Sequence, residues 1–288
     1  MNRAVAIGIF DGVHQGHQQL LKTAKLYGSV VALTFYPHPT SIFAPERTPP
    51  QLVSLEDRIQ LLEAHGANEV VVIEFTKDFS LLTPQQFIDE VLINQLRATH
   101  IVVGDNFTFG HKASGNVETL KADGRFGVTS VPLQENRGTP VSSTRIRNLV
   151  MDGDVERAND LLTRAHYVKG PVVHGEKRGR TIGYPTANIG LASYATIPAD
   201  GVYAGWLTVG GVRWASAISI GTNPTFPGIR GRQVEAYALD QVGLDLYDQE
   251  AKLEFNFRLR DTLKFNSLDE LLEQMKNDCL RSKELLQS

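Results

Sequence analysis

The first 160 residues alternate between short unbroken apolar runs and longer segments whose apolar residues recur at helical spacing. Residues 4–9 read as a buried strand; a turn holding Gly12 and Gly16 follows, then a helix over residues 17–27. Residues 30–35, 70–75, 101–104 and 128–132 repeat the strand signal. Residues 55–65, 84–96 and 142–151 repeat the helical one, with Thr83 placed to cap the second of these. Strands that alternate with helices predict a parallel sheet covered on both faces, because each crossover must lie over the sheet it returns to. Ligands of such sheets sit at the carboxyl ends of the strands.

After a helix at Val155–Leu162 the pattern changes. Residues 167–174, 201–209, 214–220, 232–239 and 251–259 read as short strands punctuated by Gly and Pro, the spacing of an all-β barrel or sandwich. A final helix runs from Leu268 to about residue 286, with Ser267 and Glu270 arranged as a capping box. The change of class near residue 160 predicts two domains, 1–160 and 161–288.

Composition narrows the field. The 288 residues suit about two domains at ~150 residues each. Hydrophobic residues make up 42% and charged residues 21%, the profile of a globular chain. The 29 basic and 32 acidic side chains leave a net charge of −3, with neither half strongly basic, which argues against nucleic acid as a partner. Any phosphate must then be gripped by local geometry. Cys279 is the single cysteine, so no internal disulfide forms. No apolar run approaches the ~20 residues of a membrane span, and the N-terminal run is too short for a signal peptide. The expected setting is the cytoplasm, with no membrane partner and with self-association left open.

Three segments of the first half carry chemistry. GIFDGVHQGH leaves a strand and enters a helix, so His14 and His17 fall beside backbone N–H groups at a positive helix end, where anions bind. Two imidazoles there can stabilise charge developing in phosphoryl-type transfer, and Gly16 lets a ligand approach closely. The bland alternative is a pair of surface histidines on a turn. VSSTRIR opens the last helix of this half: one hydroxyl is an ordinary cap, whereas three hydroxyls and two arginines suit a polyphosphate tail. GDNFTFG lies just past a strand end, where Asn106, Phe107 and Phe109 suit a flat heteroaromatic ring, or else simple core packing.

The second half has its own candidate. In GEKRGRTIGYPTAN, glycines and basic residues form a loop able to wrap phosphates, and Thr186 and Asn188 alternate on one side of an extended stretch. Both oxygens can face one hard cation such as Mg²⁺. A solvated basic turn is the alternative reading of the loop. Glu235 lies on a predicted strand, where a carboxylate either enters a site or faces solvent.

These motifs together resemble a known family. GIFDGVHQGHQ, TFYPHP, GDNFTFG and VSSTRIR resemble the N-terminal module of bacterial bifunctional riboflavin kinase/FAD synthetases, within the nucleotidylyltransferase superfamily. GPVVHGEKRGRTIGYPTANI, GVYAG, SIGTNPTF, VEAYALD and LKFNSLDELLEQMKND follow in the order seen in riboflavin kinases. The resemblance implies a Rossmann-like α/β nucleotidylyltransferase domain over 1–160, then an all-β barrel kinase domain with a C-terminal helix over 161–288. It implies that riboflavin and ATP give FMN, and that FMN and ATP give FAD and pyrophosphate, with Mg²⁺ required. Carried over by motif, His14 and His17 stabilise the transition state of adenylyl transfer, and Ser143, Thr144 and Arg147 hold the leaving phosphates. Phe35, Pro37, His38, Asn106 and Phe107 border the nucleotide and flavin. Gly175, Lys177, Gly179, Arg180 and Gly183 form the kinase phosphate loop, Thr186 and Asn188 bind magnesium, and Glu235 is the general base. One departure is visible: Gln241-Val242-Gly243 stands where the family pattern has an aromatic first. Two other readings stay open, an adenylyltransferase with another acceptor and a flavin- or nucleotide-binding regulator without turnover.

Overall fold

In the computed structural model, which describes residues 2–175, 183–221 and 232–287, five strands of the N-terminal part pair in parallel. They are β1 (Arg3–Ile7), β2 (Ser29–Tyr36), β3 (Glu69–Glu74), β4 (His100–Gly104) and β5 (Gly127–Val131). Their order is β3-β2-β1-β4-β5. Successive side chains of a strand leave on opposite faces. Val5, Ile7, Val31, Leu33, Ile101 and Val103 therefore feed one core, while Ala4, Ala6, Val30, Ala32 and Val102 feed another. Leu20, Leu21 and Ala24 of α1 (Gln15–Ala24) and Leu62 of α2 (Leu55–Ala64) complete the second core. The alanines let these helices lie close to the sheet.

The other face is covered by α3, which starts as Pro84–Gln86 and continues as a wider π-helical stretch, Phe87–Gln95. Thr83 caps it as predicted, its Oγ1 accepting from the Gln86 N–H at 3.2 Å. The widening was not expected. Leu96 N–H bonds to the Val91 carbonyl five residues back at 2.9 Å. The wide turn keeps Phe87, Val91, Leu92 and Leu96, all buried, on the sheet side. The short helix α4 (Val117–Asp123), capped by Asn116, packs Val117 and Leu120 into the same core and was absent from the sequence reading.

The chain divides into two compact units, Met1–Ser143 and Thr144–Ser288. That division falls before the class change at residue 160, so most of α5 (Ser143–Met151) and all of α6 (Val155–Leu162) belong to the second unit. The reason is packing: Val155 is part of the second unit's apolar core.

That core fills a closed antiparallel barrel, which decides between barrel and sandwich. Its strands are β6 (His166–Val173), β7 (Ala187–Ile189), β8 (Gly201–Val209), β9 (Val212–Gly221), β10 (Gln233–Ala238) and β11 (Glu250–Arg260), in the order β6-β7-β10-β9-β8-β11. Leu207, Ile218, Val234, Ala236 and Leu253 are buried in the barrel core, and the alternate positions face outward. The terminal helix α7 (Leu268–Gln287) contacts β8, β9 and β11. Its cap differs in one detail from the expected box. Ser267 Oγ accepts from the Glu270 N–H, but the Glu270 carboxylate bonds back to the Asn266 N–H, one residue further out.

Candidate active sites

β1 lies between β2 and β4, so the chain leaves it in one direction and returns on the other side. The crevice at the carboxyl ends of β1 and β4 is the switch point of the sheet. Residues 8–14 cross it in a strained turn, with Phe10 at φ +55° and Val13 at φ +43°. A left-handed backbone costs such residues about 1–2 kcal/mol each. Both side chains are fully buried in the core, and burial worth about 1.5–3 kcal/mol apiece offsets that cost.

The turn delivers His14 as the N-cap residue of α1, with Gln18 N–H donating to its carbonyl at 3.0 Å. His14 and His17 stack, ring centroids 3.6 Å apart and planes 20° from parallel. Phe10 meets His17 edge-on at 5.1 Å. A Cβ on Gly16 would lie 3.2 Å from His14 Cε1, so the glycine makes room for the imidazole itself. His17 Nδ1 is buried and makes no hydrogen bond. Burial, then the neighbouring His14, then the Arg58 guanidinium hold the His17 pKa well below the ordinary histidine value. His17 is thus a neutral imidazole at pH 7.

Arg58, on α2, escaped the sequence reading because it looks like any polar helix residue. It is 1% exposed and donates from Nη1 to the Phe35 carbonyl at 3.3 Å and to Thr34 Oγ1 at 3.4 Å, at the carboxyl end of β2. Asp11 is buried as well, its carboxylate accepting from the Leu52 N–H at 3.0 Å. The Asp11 carbonyl accepts from Ser143 Oγ at 2.9 Å. Ser143, expected to face a phosphate, thus spends its hydroxyl hydrogen registering the start of α5 against the His14 turn. Arg147 is buried and donates to Thr144 Oγ1 at 3.3 Å.

Beside the turn a cavity of about 820 Å³ opens among Gly8, Ile9, Phe35, Asn106 and Phe107. Phe75, Phe79 and Phe87 continue its aromatic wall, and Phe107 and Phe109 stack at 5.6 Å. Phe35, Asn106 and Phe107 are brought together as the motifs suggested. Pro37 and His38 are not in the lining; Pro39 and Phe43 take that place. His38 instead caps the short helix Pro39–Phe43, its Nδ1 accepting from the Thr40 N–H at 3.2 Å.

On the barrel, Asn188, Glu235 and Ser219 occupy one rung of three adjacent strands. Residues directly opposite in an antiparallel ladder share a face, so this rung is a polar line on the outer surface. Thr186 Oγ1 donates to Glu235 Oε2 at 3.2 Å. Burial raises the Glu235 pKa above the usual carboxylate value, and the Thr186 hydrogen bond opposes that in part. A Cβ on Gly175 would fall 2.2 Å from Asn188 Nδ2, so the glycine seats the amide. Thr186 borders two cavities. One, about 290 Å³, is lined by Gly175, Gly183, Asn188 and Tyr247; the other, about 230 Å³, by Glu235, Tyr184, Tyr237 and residues of α7. Lys177, Gly179 and Arg180 of the proposed phosphate loop lie outside the described residues. Gln241, Val242 and Gly243, the departure from the family pattern, line the first of these cavities.

A parallel α/β unit with a helix-end histidine pair, joined to a β-barrel with a half-buried carboxylate lining a cavity, defines a two-site transferase. A family model described as FAD synthetase matches residues 1–145, and one described as riboflavin kinase matches residues 162–286. Proteins named bifunctional riboflavin kinase/FMN adenylyltransferase are similar over nearly the whole chain. The Bacillus subtilis protein is 38% identical over 95% of this chain and 89% of its own; the Escherichia coli K12 protein is 36% identical over 97% and 91%. A solved Streptococcus pneumoniae structure, described as a macrolide-efflux protein, superposes with a TM-score of 0.89 at 34% identity, covering 98% of this chain and 94% of that one. No helix among the described residues is long and apolar enough to cross a membrane. The chain belongs to the bifunctional riboflavin kinase/FMN adenylyltransferase family.

Proposed function

We propose that this chain makes FMN from riboflavin on the barrel and FAD from FMN on the α/β unit, each step consuming one ATP. The observation that carries the kinase half is the position of Thr186, which borders both cavities and is hydrogen-bonded to Glu235 in the smaller one. ATP fits the 290 Å³ cavity with its phosphates toward Gly175 and Gly183, and the flavin fits the aromatic cavity beside Glu235. Glu235 takes the proton of the 5′-hydroxyl as the oxygen bonds to the γ-phosphorus and ADP leaves. Its raised pKa suits that task, since a general base works best near the operating pH. Thr186 and Asn188 would hold Mg²⁺, their side-chain oxygens being hard donors of the kind that leave room for water and substrate phosphates. When bound, the ion supplies charge neutralisation on the phosphates.

In the α/β unit an FMN phosphate oxygen bonds to the α-phosphorus of ATP and pyrophosphate leaves. His14 and His17 sit at the positive end of α1, where developing negative charge is stabilised. The neutral state of His17 makes it a hydrogen-bond donor rather than a cation. Thr144 and Arg147, on the helix that Ser143 anchors, would meet the leaving phosphates, which is why we assign residues 1–160 to this activity and 161–288 to the kinase. The aromatic cavity bordered by Phe35, Asn106 and Phe107 suits the flavin ring, with Pro37 and His38 shaping its approach. The lone Cys279 agrees with a cytoplasmic setting.

The test is product chromatography after incubation with riboflavin, ATP and Mg²⁺. FMN and FAD are both expected; FMN alone removes the adenylyltransferase claim, and neither product removes both.

A further inference from the structure

The cavity beside Glu235 is walled on one side by the helix α7, and among the described residues one charged pair both ties that helix to the barrel and lines the cavity. Arg260, the last residue of β11, donates from Nε and Nη2 to the Asp278 carboxylate at 3.0 and 2.7 Å. Its remaining arm, Nη1, donates to the Asp261 carbonyl at 2.9 Å. Asp278, on α7, is 7% exposed and is also held by Gln274 Nε2 at 2.8 Å. Met275 and Cys279, its neighbours on α7, face the same cavity as Arg260, Phe265 and Glu235. A bidentate guanidinium–carboxylate fork fixes orientation as well as distance. A second bridge, Lys283 Nζ to Asp240 at 2.6 Å, also ties α7 to the barrel, but neither residue lines the cavity.

We propose that Arg260 and Asp278 are positioning residues of the kinase step: their fork sets the width of the acceptor cavity by holding α7 against the barrel, and so governs the affinity for the flavin rather than the chemistry at its hydroxyl. This rests on the reading that the flavin occupies the cavity beside Glu235. The fork touches neither Thr186 nor Glu235, so the rate of phosphoryl transfer on a bound flavin is independent of it. ATP, on the other side of Thr186, is equally untouched.

The test uses the full chain, with conversion of supplied FMN to FAD as an internal reference. Arg260→Met and Asp278→Asn are each expected to raise KM for riboflavin about tenfold, with kcat and KM for ATP within about twofold and FAD formation unchanged. Gln274→Leu, which removes only a neutral bond to the carboxylate, is expected to raise it about twofold to threefold in a chain that folds normally. Lys283→Met is expected to leave it unchanged. The exchanged pair Arg260→Asp/Asp278→Arg is expected to recover part of the lost affinity. An unchanged KM for riboflavin in Gln274→Leu and Arg260→Met overturns the proposal, as does an equal rise for Lys283→Met. A parallel fall of kcat and rise of both KM values also overturns it, because that is the mark of a merely structural pair. Glu235→Gln separates the two levels: if it still makes FMN, the reading of the cavity has failed whatever the fork does.

Discussion

In the roles proposed for them the α/β unit and the barrel unit both handle the phosphates of ATP, yet they assemble their sites by opposite means. In the first, one local stretch of chain, residues 8–17, supplies the strained turn, the helix end and both histidines. In the second, Asn188, Glu235 and Ser219 come from three strands and meet only because the ladder pairs them, while Leu271 to Cys279 of α7, 36 to 44 positions after Glu235, close one side. A parallel sheet collects its loops at one end, so a single crossover can build a site there. A barrel offers a rung of alternate residues, so its site depends on correct register over the whole ladder.

Variants can break this comparison cleanly. Glu235→Gln should have the largest effect, lowering FMN formation by about 10²–10⁴-fold while supplied FMN still becomes FAD; coupled chromatographic assays read both. His17→Ala should do the reverse, lowering FAD formation by about 10²–10³-fold with FMN formation intact. If either variant, folded, loses both activities equally, the two sites are not separate. In the parent chain FAD formation should keep its kcat/KM as pH falls through 6.5, because His17 already titrates well below that value. A loss centred at 6.5 would show that it does not.

A third prediction concerns stability. His166 is buried against the Thr196 carbonyl at 2.9 Å, and burial lowers its pKa to about 4 from the ordinary histidine value of about 6.5. The folded barrel therefore binds fewer protons than the unfolded chain between those values. Its stability is full above pH 6.5 and falls as the pH drops toward 4, by about 3 kcal/mol in all. Thermal melts of the barrel transition across that range should show the decline, and His166→Gln should flatten it. A decline of the same size in the variant would assign it to other groups. The smallest effect is expected from Ser143→Ala. Loss of its bond to the Asp11 carbonyl should destabilise the α/β unit by about 0.5–1.5 kcal/mol, with KM for ATP in FAD formation changed less than threefold. A rise of tenfold or more would instead give the hydroxyl a direct place on the phosphates.

The same contrast explains what could be read from the chain. Alternation of apolar runs gave the parallel sheet, and GIFDGVHQGH gave the histidine pair, because both are local patterns. The wide turn in α3 was hidden, since spacings of four and five residues look helical until packing selects between them. Arg58 was hidden because nothing local marks an arginine that tertiary packing will bury. Ser143 and His38 were named for ligands and were found making structural bonds, because a short polar side chain beside a helix start serves either purpose. In the barrel, Glu235 could be chosen only through the family resemblance. Its partner Thr186 stands 49 positions earlier, and Arg260 and Asp278 carry no motif that links them.

Closure of the barrel has a consequence for how the protein is born. β6 pairs with β11, His166 opposite Phe255, so the first strand of the barrel waits for the last. The parallel sheet, by contrast, has all five strands once Val131 has emerged. Long-range pairing is slow and leaves unpaired edges exposed while the chain waits. On a ribosome the parallel sheet, to which we assign the consumption of FMN, is therefore complete well before the barrel, to which we assign its synthesis. The interval in which a nascent chain is most open to aggregation lies between the emergence of His166 and that of Arg260.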